Sequence, residues 1–261
     1  MELRLDGRTA LITGGSRGLG RTMAETFAAA GASVAVVARD QAVLDDTLGA
    51  LEAANPSAAH TAISADVRMA DEIARAHAQA VATCGPIDIL VNNSGTSNAR
   101  PFLEITDEDW QEDLDLKLFS AIRLCRLCIP HMRSQGWGRI INTLNVGAKA
   151  ASARTCPTSA SRAAGLAMTK ALASEFAPDG VLVNALVTGL LVTHQWRTRW
   201  EREGGYDTFD DFVAATGERI PAGRMGEAQE FANLALFLAS DAASYVTGTA
   251  INIDGGLTPV V

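Results

Sequence analysis

Short apolar runs alternate with amphipathic stretches along most of the chain. Residues 9–13, 33–38, 61–65, 87–91, 139–143, 181–186 and 250–253 are apolar with little polar alternation, as expected of strands covered on both faces. The segments between them carry helical spacing, over about 18–30, 41–53, 70–83, 107–134, 159–176 and 227–239. Gly31 ends the first of these helices and Asn55-Pro56 the second. Thr106, followed by Asp107, Glu108 and Asp109, supplies an N-cap with acids in the first turn. Strand and helix in strict alternation predict a doubly wound α/β fold: a parallel sheet of about seven strands with helices on both faces. The rhythm lapses only over residues 194–222.

A chain of 261 residues suits one such domain, spanning 1–261, and can bury a substantial core. Hydrophobic residues make up 48% and charged ones 20%, far from a disordered composition. With 30 acidic and 22 basic residues the net charge is −8, and no basic tract occurs. That argues against nucleic acid or an anionic membrane as partner. The opening residues, Met1-Glu2-Leu3-Arg4-Leu5-Asp6, contain no apolar stretch of signal-peptide length, and no run reaches membrane-spanning length. The expected location is cytoplasmic. Of the four cysteines, Cys125 and Cys128 form a Cys-x-x-Cys pair, a spacing shared by redox pairs and half zinc sites. Their helical apolar setting, with no second pair, reads instead as two buried small hydrophobes.

Gly14, Ser16, Arg17, Gly18, Leu19 and Gly20 lie between the first strand and the first helix. Glycines there allow a tight turn and close backbone approach, and the helix N-terminus offers free N–H groups to a pyrophosphate. The segment matches Thr-Gly-x-x-x-Gly-x-Gly, and further elements follow in order: Asp66-Val67, Asn92-Asn93-Ser94-Gly95, Val183-Asn184-Ala185, Thr188-Gly189, Thr193, Tyr245-Val246-Thr247-Gly248 and Asp254-Gly255-Gly256. Over about residues 5–257 the chain resembles the short-chain dehydrogenase/reductase family. The resemblance implies a Rossmann-type fold and a nicotinamide cofactor. By the same likeness Asp66 and Val67 would meet the adenine, Asn92 and Gly95 would lie beside the cofactor, and Gly189, Leu191 and Thr193 would hold the carboxamide. At the end of the second strand stands Arg39 where an acid would favour NAD(H). With Arg17 it could clamp a 2′-phosphate, which favours NADP(H), although Asp40 could still serve a ribose.

Members of the family usually set Asn, Ser, Tyr and Lys at the nicotinamide. Here Lys117, Asn145, Thr158 and Arg162 align with those positions, and Asn145 precedes Thr158 by the thirteen residues expected of the serine and tyrosine. All four residue types differ. A threonine hydroxyl is no useful acid, and losing a general acid costs about 10²–10⁴ in rate. Arg162 stays charged, yet its fork could bind the nicotinamide ribose. Lys117 is the one new titratable group, and burial beside Arg162 would lower its pKa into a useful range. It either serves as proton donor, faces solvent, or pairs with Asp113 or Asp115. His194 and Tyr206 are alternative donors.

The family places a mobile lid at 194–222. Trp196 and Trp200 share one helix face, flanked by Arg197, Arg199 and Arg202, and Gly204-Gly205 offers a hinge. That stripe either caps an apolar substrate, with the arginines drawing in a carboxylate, or packs on a neighbouring subunit. The cations point toward an anionic substrate. No metal is expected. The resemblance also implies a homotetramer built on the helices at 107–134 and 159–176. Three functions remain open: an NADP(H)-dependent oxidoreductase acting on a carbonyl or alcohol through a non-standard proton relay, a non-redox lyase or dehydratase, and a nucleotide-binding pseudoenzyme.

Overall fold

The computed structural model describes residues 3–261; Met1 and Glu2, where the reading of the N-terminus began, lie outside it. Seven parallel strands form the central sheet. They are β1 (Thr9–Thr13), β2 (Ser33–Ala38), β3 (His60–Ser64), β4 (Ile89–Asn92), β5 (Gly138–Asn145), β6 (Val181–Thr188) and, last in the chain, β9 (Ala250–Ile253). Their spatial order is β3-β2-β1-β4-β5-β6-β9. The order reverses between β1 and β4, the switch point where open α/β sheets bind ligands at their carboxyl ends. One element was not anticipated: β7 (Leu191–Val192) pairs with β8 (Gly226–Glu227) as a separate two-stranded ribbon.

Successive strand residues face opposite sides, and each side has its own core. Ile12, Val36, Val91, Ile141 and Leu186 pack on one face with Met23 and Phe27 of α1 (Gly18–Ala29), Leu44 and Leu51 of α2 (Gln41–Ala54), and Phe231 and Leu238 of α9 (Ala228–Ala239). Leu11, Val37, Leu90, Ile140 and Val183 pack on the other with Ile73 of α3 (Ala70–Cys84) and with Leu124, Cys128 and Met132 of α5 (Ser120–Gln135). Cys125 and Cys128 are buried there as free thiols. Burial pushes the Cys125 thiol up to about 12, so the pair packs as small hydrophobes and has no thiolate to react.

The long helix expected at 107–134 is interrupted. The Thr106–Asp109 capping box starts α4 (Asp107–Leu114), and α5 begins only at Ser120. Between them residues 115–119 form one π-helical turn. A π-turn admits one extra residue and re-aims the side chains around it, a signal that hydrophobic periodicity does not carry. It turns Lys117 into the protein. On the other side of that position lies α6 (Thr158–Phe176). Two further helices, α7 (His194–Glu203) and α8 (Phe209–Gly217), fill the segment where the rhythm lapsed. Among the described residues no helix is long and apolar enough to cross a membrane.

Candidate active site

The glycine loop after β1 is held in place from β4. Thr13 Oγ1 accepts the N–H groups of Asn93 and Ser94, both at 3.0 Å, and Asn93 Nδ2 donates to Thr13 O at 3.0 Å and Gly14 O at 3.2 Å. A Cβ on Gly20 would lie 2.1 Å from Gly14 O, so only glycine lets α1 start this close to the loop. The first turn of α1 has no side-chain cap and no acidic residue, which leaves its N–H groups to an anion.

Two clefts open along this edge. The adenosine-side cleft, about 690 Å³, is bordered by Arg17, Arg39, Asp40, Asp66 and Val67, and extends to Asp113 and Leu116. The nicotinamide-side cleft, about 330 Å³, is bordered by Gly18, Leu19, Gly95, Asn145, Thr158, Arg162, Thr193 and His194. Three buried polar atoms in its wall lack a protein partner: Thr143 Oγ1, Asn145 Oδ1 and Arg162 Nε. Buried polar groups are normally paired, so these fit a polar ligand such as a nicotinamide riboside. The donors, glycine cradle and orphaned atoms together suit a dinucleotide.

Arg17 reaches Asp40 at 3.1 Å, and Asp40 also accepts the N–H of Val43 at the start of α2. The acid beside the expected phosphate clamp is thus already engaged by one of its arginines. Asp66 is gripped by Arg68, whose hydrogen bonds hold its carboxyl below the usual range.

Of the four positions expected to be catalytic, Lys117, Thr158 and Arg162 lie close together beside the nicotinamide-side cleft, and Asn145 lines it. The Lys117 side chain is fully buried and its ammonium contacts Asp113, whose side chain is 1% exposed. Lys117 Nζ also donates to Thr158 Oγ1 at 3.0 Å, and the N–H of Asn98 donates to the same oxygen at 2.9 Å. Ser161 Oγ donates to the other Asp113 oxygen at 2.6 Å and lies 3.0 Å from Thr158 O. Burial brings Lys117 down to about 8; Asp113 opposes the fall and Arg162 adds to it. Arg162 Nη1 donates to Thr143 O at 2.7 Å. Burial lowers Arg162 to about 10, which leaves it cationic at neutral pH. A Cβ on Gly95 would sit 2.1 Å from Arg162 Nη2, so glycine there makes room for the guanidinium.

Several expected positions lie elsewhere. Asn92 turns away from the clefts into the sheet, where its Nδ2 donates to Asn142 Oδ1 at 2.8 Å; Asn93 takes the loop-bracing part. Leu191 is 4% exposed and packs in the core. Gly189 is demanded by contact with Asp254, whose Cα would be 2.5 Å from an added Cβ. Trp196 and Trp200 spend their shared face on α8: Trp196 lies 6.1 Å from Phe212 and Trp200 5.9 Å from Phe209. Tyr206 stands edge-on to Phe212 at 5.6 Å and borders neither cleft. The flanking arginines are also engaged, Arg197 over Phe209 and both Arg199 and Arg202 with Glu203. An aromatic stripe met in sequence cannot tell whether its partner is a ligand or the next helix.

Four participants went unread as site residues. Asn98, Ser161 and Gln195 had no motif to mark them, and Asp113 was noticed only as a possible partner four residues before Lys117. Gln195 Nε2 donates to Gly95 O at 3.2 Å, tying the start of α7 across the cleft. Among the described residues no group of three or more His, Cys, Asp or Glu side chains is placed to hold a metal ion.

Comparison with known proteins agrees on family and fold. Residues 14–258 match the family model described as enoyl-(acyl carrier protein) reductase. The chain is 34% identical to the 3-oxoacyl-acyl-carrier-protein reductase FabG of Aquifex aeolicus, over 98% of this chain and 100% of that one. Its structure is similar to L-sorbose reductase from Gluconobacter frateurii in complex with NADPH and L-sorbose, at a TM-score of 0.94 and 30% identity, each chain covered fully. It is also similar to the NADPH-bound short chain oxidoreductase of Pseudomonas aeruginosa PAO1 described as containing an atypical catalytic center, at a TM-score of 0.90 and 36% identity over 99% of both chains. Motifs, sheet order and relatives converge: the chain belongs to the short-chain dehydrogenase/reductase family.

Proposed function

We propose that this protein is an NADP(H)-dependent oxidoreductase acting on a carbonyl or alcohol, with Lys117 and Thr158 as its proton relay. One observation carries the reading. Thr158 Oγ1 borders the nicotinamide-side cleft and already accepts two hydrogen bonds, from Lys117 and from Asn98. A hydroxyl has one donor and two acceptor positions, so its own O–H is left to donate into the cleft.

In the reducing direction a bound NADPH would supply the hydride for the carbonyl carbon. Thr158 gives its proton to the developing alkoxide and is refilled at once from the Lys117 ammonium. Threonine is then a conduit and lysine the acid, which removes the objection that a threonine hydroxyl is too weak an acid alone. The pKa of about 8 suits that duty, since a group titrating near the working pH can both lose and regain its proton. Arg162 would hold the nicotinamide ribose, and Asn145 would hold a polar group of the substrate.

Preference for NADP(H) is supported by Arg17 and Arg39 at the rim and by the NADPH in both structures named above. Helices α7 and α8 form the lid of a single domain, with His194 and Gln195 at its cleft edge. The open groove between α5 and α6, lined by Ile122, Ile129, Pro130, Met168 and Leu172, supports assembly as a homotetramer through that face; light scattering tests it.

The test is fluorescence titration with NADPH and NADH, followed by turnover assays on a panel of ketoses, including L-sorbose, and 3-oxoacyl thioesters. Micromolar NADPH binding and turnover, abolished in Lys117→Met, is the expected result. Full activity in Lys117→Met overturns the relay. Binding without turnover of any carbonyl would favour the pseudoenzyme, and no nucleotide binding the non-redox enzyme.

A further inference from the structure

The nicotinamide-side cleft has almost no apolar wall. Among the described residues its apolar side chains are Leu19 and Leu144, and Leu144 is 4% exposed and packs against Ala185 and Val187. Beyond the glycine loop the cleft is bordered by Ser97, Asn145, Thr158, Thr188, His194 and Gln195. Hydroxyl, amide and imidazole groups therefore face whatever lies over Thr158.

Charge is equally scarce. Among the described residues no carboxylate borders this cleft, and both of its arginines are engaged. Arg17 pairs with Asp40 at 3.1 Å, toward the adenosine side. Arg162 is 9% exposed, its Nη1 donates to Thr143 O at 2.7 Å, and its Nη2 lies against Gly95. Lys117 borders neither cleft and is neutralised by Asp113. The arginines of α7 are held by Phe209 and Glu203. The cationic pocket expected for an anionic substrate does not form.

We infer that the substrate is a small, neutral, polyhydroxylated carbonyl compound such as a ketose, and that Asn145 selects it. This rests on the functional reading above, which puts the substrate carbonyl at Thr158. Asn145 Oδ1 is buried in the wall and has no hydrogen-bond partner in the protein. A stranded acceptor is relieved by a donor, and a hydroxyl near the substrate carbonyl supplies one. A carboxylate has only acceptors. It would set oxygen against oxygen, with no cation to offset its lost hydration. An alkyl chain would leave Asn145 and its polar neighbours unpaired. Size points the same way: the cleft is about 330 Å³ and has to hold the nicotinamide as well, which suits a compact substrate rather than a long acyl chain.

Affinity can be read without turnover, because protein saturated with NADP⁺ cannot reduce a ketone. Saturation-transfer NMR and calorimetry on that dead-end complex compare probes that share a carbonyl and differ around it. The neutral ketoses are D-fructose, L-sorbose and the open-chain L-erythrulose. The others are 5-keto-D-gluconate, which carries a carboxylate, 2-hexanone, which has no hydroxyl, and acetoacetyl-CoA, a thioester. The best neutral ketose is expected to bind at least about tenfold more tightly than any of the other three. Its kcat/KM with NADPH should exceed that of 2-hexanone by about 10²-fold or more, as when a site built for hydroxyls meets an analogue lacking them. In Asn145→Ala the affinity ratio between that ketose and 2-hexanone shrinks by about tenfold, the worth of one hydrogen bond, and Asn145→Ser restores part of it. A merely structural Asn145 would weaken both probes alike and leave the ratio as it was. Tighter binding of any of the other three probes, no binding of any neutral ketose, or an unchanged ratio in Asn145→Ala overturns the proposal. The functional reading fails by different results, the absence of NADPH binding or activity surviving in Lys117→Met.

Discussion

Replacing Thr158 by valine keeps the volume and removes the hydroxyl. Two donors lose their acceptor, the buried Lys117 Nζ at 3.0 Å and the half-buried Asn98 N–H at 2.9 Å. Lys117 retains Asp113, and Asn98 N–H is within reach of water, so the stability cost is about 1 kcal/mol. The catalytic cost is larger. With the conduit cut, the Lys117 proton cannot reach the cleft, and turnover falls by about 10²–10⁴, the usual worth of a general acid. That equals about 2.7–5.5 kcal/mol of transition-state stabilisation. Thr158→Ser keeps the oxygen and should stay within about tenfold of wild type, since the relay is intact and only a methyl contact is lost. The pH profile identifies the group. Reduction needs the Lys117 ammonium, so its rate is level below about 8 and falls above it. Oxidation needs the neutral amine, so its rate rises through the same pH to a plateau. Stopped-flow NADPH fluorescence in both directions, across pH, measures each limb. Thr158→Val with activity within threefold of wild type and an unchanged limb would refute the argument and move the donor elsewhere, with His194 the next group to test.

Gly20→Ala drives a methyl against Gly14 O, a backbone atom that cannot step aside, and NADPH affinity measured by calorimetry should fall by more than about tenfold, with overpacking costing roughly 1–3 kcal/mol. Gly95→Ala displaces the Arg162 guanidinium instead; nucleotide binding weakens while melting temperature drops only a few degrees by calorimetry. Arg39→Ala removes one half of the phosphate clamp and should weaken NADPH by about tenfold with NADH unchanged in fluorescence titration, the worth of one charge-assisted contact. Gln195→Ala cuts the tie to Gly95 O, and NADPH then dissociates faster in stopped-flow displacement without loss of hydride-transfer rate in a single turnover.

What the sequence makes legible around the site is local. The glycine loop is legible because backbone approach at Gly20 demands a missing Cβ, and that demand is written in residue type. The Thr106–Asp109 cap is legible for the same reason, a side chain meeting a backbone three residues away. Lys117 could be singled out because it aligns with the family's asparagine and is titratable, but its partners were not determined by that alignment. The turn from α4 to the π-helical segment directs it inward, and a single extra residue per turn leaves no mark on hydrophobic spacing.

Trp196, Trp200 and Tyr206 show the reverse error. The spacing of Trp196 and Trp200 correctly predicts a shared face, yet that face is satisfied by Phe209 and Phe212 of α8, and Tyr206, beyond the end of α7, packs on Phe212 as well. Asn92 and Asn93 are adjacent and chemically identical, yet Asn92, the last residue of β4, bonds within the sheet while Asn93, just past the strand, braces the loop.

The sequence by itself determined the doubly wound sheet and the tight glycine loop after its first strand, because these follow from periodicity and from glycines that backbone contacts require; the strand order, and with it the switch point, came from the tertiary structure. Only the tertiary structure decided that Asp113, Lys117, Thr158 and Ser161 meet. They come from α4, the π-turn and α6, separated by up to 48 residues, and burial at the crossing is what turns a surface-type lysine into one titrating near 8.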